Sequence, residues 1–195
     1  MQPNTDPYLI DKALQGDTRA FGQLVEKYQA FVFTIAIRIV KVREEAEEVA
    51  QDSFVKAYES LSSFRGESKF SSWLYSVTYR KALDSLRKNK KNSNLELIEE
   101  ITEVDSGTLE NALSYIEEKE RKEVIQKCIM ELNEQEAAII TFFYFEELSI
   151  KEISKITELS EDNVKVKLHR SRKKLFSLLK QFVIPTYTES NGQAI

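Results

Sequence analysis

Residues 148–179 read LSIKEISKITELSEDNVKVKLHRSRKKLFSLL, and this stretch decides the fold. It divides into two short helices around a tight turn. Ser149 can cap the first helix, and Glu152 three residues on completes a capping box. Ser160 can cap the second, with Glu161 and Asp162 complementing its positive N-terminus. Ile153, Ile156, Leu159, Val164, Leu168 and Leu175 supply a small apolar core. Lys165, Lys167, Arg170, Arg172, Lys173 and Lys174 crowd onto the second helix, and no acid occurs from Val164 to Lys180. A capped, cationic helix held by a packed partner suits insertion into a DNA major groove. The alternative is an amphipathic hairpin with a solvated basic face. The turn departs from the usual helix-turn-helix pattern. Glu158 stands where glycine often takes a left-handed conformation, and Thr157 where an apolar residue is usual. A positive φ at Glu158 costs on the order of 1 kcal/mol.

Outward from this stretch, the chain reads as helical. In 195 residues there are only five glycines and three prolines, with 42% apolar residues and few alternating runs. The expected fold class is all-α, two small helical domains joined by a flexible acidic linker. The boundaries fall at 8–90 for the first domain, 91–111 for the linker, 112–182 for the second domain and 183–195 for a disordered tail. Cys128 stands alone, so no internal disulfide is expected, and it reads as a small buried apolar residue. His169 is the only histidine, so no metal set and no cofactor are expected. No apolar run is long enough to span a membrane and no signal peptide is legible, so the expected location is cytoplasmic.

Net charge is −4, yet the charges are segregated. Arg80 to Lys91 and Val164 to Lys180 are basic, whereas Asn92 to Glu118 carries eight acids and no base. Two cationic patches around an anionic connector point to two DNA contacts.

Tyr8 to Gln15 reads as a short helix stopped by Gly16, and Asp17 caps a longer one. Its stretch Ala30 to Val40 is apolar nearly all round, which places it at the centre of its domain. The third helix turns Ala46, Val49, Ala50, Phe54, Ala57 and Leu61 inward and shows Glu44, Glu45, Glu47, Glu48, Gln51 and Asp52. That acidic face is either solvated or a docking surface for a basic partner. A turn at Phe64 to Phe70 leads to a fourth helix, capped by Ser71 or Ser72. Trp73, Tyr75 and Tyr79 are interleaved there with Arg80, Lys81, Arg87 and Lys88. Aromatic faces beside cations suit unpaired bases, at roughly 1–3 kcal/mol of stacking per base. The alternative is core, and Leu74, Val77 and much of Trp73 are expected there. Asn133 and Glu136 form another capping box before the apolar helix Ala137 to Phe145.

These pieces together resemble a bacterial RNA polymerase sigma factor of the extracytoplasmic-function (ECF) type in the sigma-70 family. Region 2 is carried by Gln51-Asp52-Ser53-Phe54, Phe64-Arg65-Gly66, Trp73-Leu74 and Ala82-Leu83-Asp84. Region 4 is carried by LNEQEAAIITFFYFEELSIKEIS and NVKVKLHRSRKKL. Arg80 departs from the pattern, since many relatives have Asn there. The resemblance implies a transcription initiation factor with no catalytic residues, a monomer when free. Glu48, Gln51, Asp52 and Lys56 would dock on the β′ clamp helices of core RNA polymerase, with the β flap a further contact. Phe64, Arg65, Ser68, Lys69, Trp73, Tyr75, Tyr79, Arg80, Lys81, Arg87 and Lys88 would handle the melted −10 element of promoter DNA. Ser160, Asn163, Lys165, Lys167, His169, Arg170, Arg172, Lys173 and Lys174 would serve the −35 element. An anti-sigma factor is the expected regulator, and the acidic linker would lie in the polymerase's RNA channel. Three other classes compete, of which a helical protein-interaction scaffold explains the acidic helix but not two basic patches. A helix-turn-helix regulator binding as a dimer leaves the N-terminal half idle. An enzyme lacks a glycine-rich phosphate loop or an acid pair in an apolar pocket.

Overall fold

The computed structural model describes residues 5–90 and 118–190, and every regular element among them is helical. Four α-helices form the first unit: α1 (Asp6–Leu14), α2 (Thr18–Val40), α3 (Arg43–Glu59) and α4 (Phe70–Lys90). A short 3₁₀ turn, Leu61–Ser63, follows α3. Four more form the second: α5 (Glu118–Met130), α6 (Glu134–Tyr144), α7 (Ile150–Thr157) and α8 (Glu161–Ser190). The expected linker at 91–111 lies outside the described residues, as do residues 191–195. Helix α8 continues to Ser190, beyond the 182 boundary read from the sequence. Pro185 removes one backbone donor without ending the helix.

The caps follow local chemistry. Asp17 accepts the backbone N–H groups of Arg19 and Ala20 at the start of α2. Asn133 with Glu136 and Ser149 with Glu152 form reciprocal capping boxes on α6 and α7. Two expectations at helix starts fail. The first helix starts not at Tyr8 but at Asp6, which is buried, with its carboxylate ion-paired to Lys27 and accepting the Tyr28 hydroxyl at 2.6 Å. Neither Ser71 nor Ser72 precedes α4, which starts at Phe70; Ser72 is buried in the first turn, its hydroxyl without a hydrogen-bond partner among the described residues. Gly66 has φ +70° with open space around its Cα, so backbone conformation rather than crowding calls for glycine there.

The two helical domains share part of their apolar core. One cluster, with Leu24, Val32, Ala57, Leu61 and Phe70, lies inside the first unit. The other runs through both, joining Ile35, Ile39, Tyr75 and Tyr79 to Ile129, Leu132, Ala138 and Phe142. The all-round apolar stretch of α2 explains this: one side meets α3 and α4 and another meets α6.

Arg38 sits at that junction, 2% exposed. Its guanidinium donates to Thr141 Oγ1 and to Gln126 Oε1, each at 2.7 Å, and lies 4.3 Å from the centroid of the Phe145 ring. Burial pulls its pKa down to about 10, so it remains cationic at neutral pH. Nearby, Lys41 donates to the Leu132 carbonyl at 2.6 Å, and Tyr75 donates to Glu146 at 2.6 Å. Burial raises the Glu146 pKa, an effect the Tyr75 hydrogen bond opposes.

Truncating Arg38 to Ala removes the donor to Thr141 and Gln126 and opens a cavity, and is expected to cost about 3 kcal/mol in urea unfolding. Arg38→Met, which keeps the shape without the charge, should cost clearly less. The α7 capping box gives a pH signature. The Ser149 backbone N–H, then its hydroxyl, hold Glu152 below the usual carboxylate range. A lowered folded-state pKa contributes stability above the unfolded value that is lost as pH falls through the folded one. Ser149→Ala should cost about 1 kcal/mol at pH 7, with a gap from the parent chain that narrows as urea melts are repeated below about pH 4.

Candidate nucleic-acid interface

The helix-turn-helix of α7 and α8 is built as the spacing predicts. Ile153 and Ile156 on α7 and Val164 and Leu168 on α8 are buried together. Glu158 ends α7 at φ 59°, so an ordinary side chain takes the left-handed position. Thr157 is buried beside it and donates its hydroxyl to the Ile153 carbonyl at 2.8 Å, which makes a polar residue tolerable there. Ser160 accepts the Asn163 N–H at 3.3 Å, capping α8.

The cap Ser160 is exposed; on α8, Asn163, Lys165, His169, Arg170, Arg172, Lys173 and Lys174 are exposed, and Lys167 is half-buried. Some carry local partners. Lys165 lies 3.0 Å from Asp162, which raises its pKa, and Lys174 lies 3.5 Å from Glu136. Arg172 stands over the rings of Phe143 and Tyr144 at 5.3 and 5.5 Å. That contact explains why Tyr144 can remain exposed at the end of α6.

The first unit presents two more surfaces. Glu48, Gln51, Asp52 and Lys56 are exposed along α3. Between α3 and α4 lies a shallow groove with Glu48, Asp52, Lys81, Asp84, Arg87 and Lys88 on its walls. Lys81 bonds Asp52 at 3.3 Å and Arg87 bonds Asp84 at 3.1 Å. Residues assigned from the sequence to two separate tasks, docking and −10 contact, therefore share one groove, because packing of α3 on α4 sets Asp52 opposite Lys81.

The turn before α4 gathers Phe64, Phe70 and Trp73 into an aromatic cluster with centroids 5.5 to 5.7 Å apart. Phe70 is buried, Phe64 and Trp73 are half-buried, and Arg65, Ser68 and Lys69 are exposed around them.

Tyr75 and Tyr79 do not belong to an open surface in this structure. Each is 2% exposed. Phe142 lies 6.3 Å from both rings, and Phe31 lies 4.7 Å from Tyr75. Burial raises the pKa of both, that of Tyr79 to about 12. Their neighbours on α6 lie far along the chain, so helical spacing within α4 could not reveal the burial. Arg80 is exposed but bonded to Glu158 of the turn at 3.1 Å and to Ser76 at 3.2 Å. The sequence reading also passed over Arg38, whose signal was a lone cation inside an otherwise apolar stretch.

No helix among the described residues is long and apolar enough to cross a membrane. Among them, no three His, Cys, Asp or Glu side chains are placed to hold a metal ion.

Comparison with known proteins fits this arrangement. The family description Sigma-70 region 2 matches residues 24–92, and Sigma-70, region 4 matches residues 122–175. The RNA polymerase sigma-H factor of Pseudomonas aeruginosa is 31% identical over 175 residues, covering 86% of this chain and 90% of its own. The ECF RNA polymerase sigma factor SigW of Bacillus subtilis is also 31% identical, covering 85% and 92%. Among solved structures, RpoE bound to the anti-sigma factor NepR, from Bartonella quintana, shares the fold at TM-score 0.62 and 20% identity, covering 82% of this chain and 96% of that one. CnrH in complex with the cytosolic domain of CnrY matches at TM-score 0.58 and 22% identity, covering 91% and 99%. With regions 2 and 4 present in order, and relatives above 30% identity matched over nearly their whole length, the chain belongs to the ECF sigma factors of the sigma-70 family, which direct promoter-specific initiation by RNA polymerase.

Proposed function

We propose a division of labour between the exposed surfaces. The observation that carries it is the segregation of charge: an acid-free cationic run on α8, and a separate acidic strip on α3. Residues 112–182 bind the −35 element, with α8 in the major groove. Ser160, Asn163, His169 and Arg170 face bases or nearby phosphates, while Lys165, Lys167, Arg172, Lys173 and Lys174 hold phosphates, which position the helix without reading sequence. Residues 8–90 dock on core polymerase through Glu48, Gln51, Asp52 and Lys56, the β′ clamp helices being the partner surface.

The loop from Phe64 to Lys69 and the start of α4 take the −10 element. Phe64 and Trp73 are half-buried rings beside exposed Arg65, Ser68 and Lys69, a setting for one unstacked base. Unstacking costs a few kcal/mol, which a fitted pocket offsets. Arg87 and Lys88 attract neighbouring phosphates. Tyr75 and Tyr79 contribute only once the second unit has moved away, because Phe142 covers them here.

The acidic stretch at 91–111 is the connector between the units, and the β flap is a further contact of the second. Control by an anti-sigma factor is supported by the RpoE relative, which was solved with one. Such a factor works where polymerase transcribes, in the cytoplasm. It acts as an initiation factor and brings no catalytic group of its own.

The test is reconstitution with bacterial core polymerase and run-off transcription on a pool of genomic fragments. Stoichiometric binding with new promoter-specific transcripts supports the reading; failure to bind core sinks it. Two variants separate the surfaces. Arg170→Ala should lower −35 duplex affinity by about 1–3 kcal/mol while core binding is unchanged, and weaker core binding would remove Arg170 from the DNA surface. Asp52→Lys should weaken core binding roughly tenfold or more and spare the duplex affinity of the assembled complex. Unchanged core affinity would count against the α3 strip. Loss of the Asp52–Lys81 pair itself contributes little, since both groups are solvent-exposed.

A further inference from the structure

The buried line of α8 runs through Val164, Leu168 and Ser171, with half-buried Leu175 continuing it. At about 100° per residue, the opposite line of the helix passes through Asp162, Val166, His169 and Lys173, with Arg170 beside it. Val166 is therefore close to the centre of the outward crest. It is 48% exposed, the one large apolar side chain left exposed in the described part of α8 up to residue 181. Its surroundings are polar: Asn163, His169 and Arg170 lie within one turn, and the Asp162–Lys165 pair, 3.0 Å apart, closes off the crest at its N-terminal end.

A scattered exposed valine needs no explanation on an ordinary surface. Position makes this one different. If the crest enters a major groove, Val166 reaches the base edges, while the flanking lysines reach the phosphates. Valine offers no donor and no acceptor. Set against guanine O6 and N7, adenine N7 or the cytosine amine, it desolvates a polar group and gives nothing back. The one apolar group on the groove floor is the thymine 5-methyl. A β-branched side chain held in one rotamer by the helix is a suitable partner for it, since little rotamer freedom remains to be lost on contact.

We propose that Val166 is a specificity-determining residue that reads a thymine 5-methyl group within the −35 element. The inference rests on the −35 role proposed for α8. It adds an apolar contact at the centre of a surface otherwise made of cations and hydrogen-bonding groups. Discrimination comes from both directions: methyl contact favours thymine, and unpaired polar edges disfavour the other bases.

The experiment uses the full chain assembled with core polymerase and a promoter obtained from run-off selection. Each thymine of the −35 element is replaced in turn by deoxyuridine, which deletes only the methyl group, and affinity is read by fluorescence anisotropy. One position should lose about fourfold, the factor expected for burial of one methyl group. Val166→Ala should lose a similar factor on the thymine promoter and be indifferent to deoxyuridine at that position. Alanine raises helix propensity, and circular dichroism checks that the variant is folded. A 5-methylcytosine at that position should bind the parent chain more tightly than cytosine, and Val166→Ala should lose the difference. If no thymine-to-uridine change matters to the parent chain, or if Val166→Ala keeps the full methyl effect, the proposal is overturned. Arg170→Ala separates the two levels. Weakened −35 binding by Arg170→Ala together with no methyl effect overturns the valine contact alone. No effect of Arg170→Ala overturns the placement of α8 and the valine contact with it.

Discussion

Arg38 buries its guanidinium where the two halves of this sigma factor meet, and among the described residues no carboxylate pairs with it. Arg38 spends its hydrogen bonds on the neutral oxygens of Thr141 and Gln126, residues 103 and 88 positions away, and rests against the Phe145 face. Removing a cation from water costs several kcal/mol even after relaxation. Both oxygens and the ring belong to the second unit. Burial of Arg38 is therefore tolerable only while that unit is in place. Thr141 can serve because its hydroxyl hydrogen already goes to the Ala137 carbonyl, leaving a lone pair toward the arginine.

The remaining cross-unit contacts follow from that placement. Phe142, next to Thr141 on α6, covers Tyr75 and Tyr79. Glu146 then accepts the Tyr75 hydroxyl, and Glu158 in the helix-turn-helix turn meets Arg80. Among the described residues the interface is thus an apolar centre with polar ties around it, the Lys41–Leu132 bond among them. Away from it lie the acidic strip of α3, the Phe64 loop and the crest of α8, all of which remain accessible. The surfaces differ in how they are held. The crest of α8 is positioned by the Ser160 cap and by Val164 and Leu168 beside Ile153 and Ile156 of its own unit, side chains that also join the cluster running through both units. Tyr75 owes its surroundings to both units.

That distinction also explains what the sequence could and could not disclose. Asn133 and Glu136, Ser149 and Glu152, Ser160 and the left-handed Glu158 all act over at most a few residues, so their roles were legible from spacing alone. Family membership was legible because it resides in short local patterns arranged in order. Tyr75 was open to two readings, core or base-stacking, and Tyr79 was read as base-stacking; what decides both is α6 and the residues just after it, some seventy residues on for the Tyr75–Glu146 bond. Residue spacing carries no information about such a neighbour. Arg38 was overlooked for the same reason: its partners lie in another unit. The start of α4 was misjudged because serine at a helix entrance usually caps, whereas here apolar Phe70 is drawn into the core and starts the helix earlier.

The covered tyrosines have a thermodynamic consequence. A ligand that stacks on Tyr75 or Tyr79 can bind only the fraction of molecules in which Phe142 has moved off. Its apparent dissociation constant is then the intrinsic one divided by that fraction: if one molecule in about a hundred is open, affinity falls about a hundredfold. By linkage, anything that holds the units together and anything that stacks on those rings oppose each other, even when they touch no common residue. Antagonism of this kind requires no shared site, only the shared surface under Phe142.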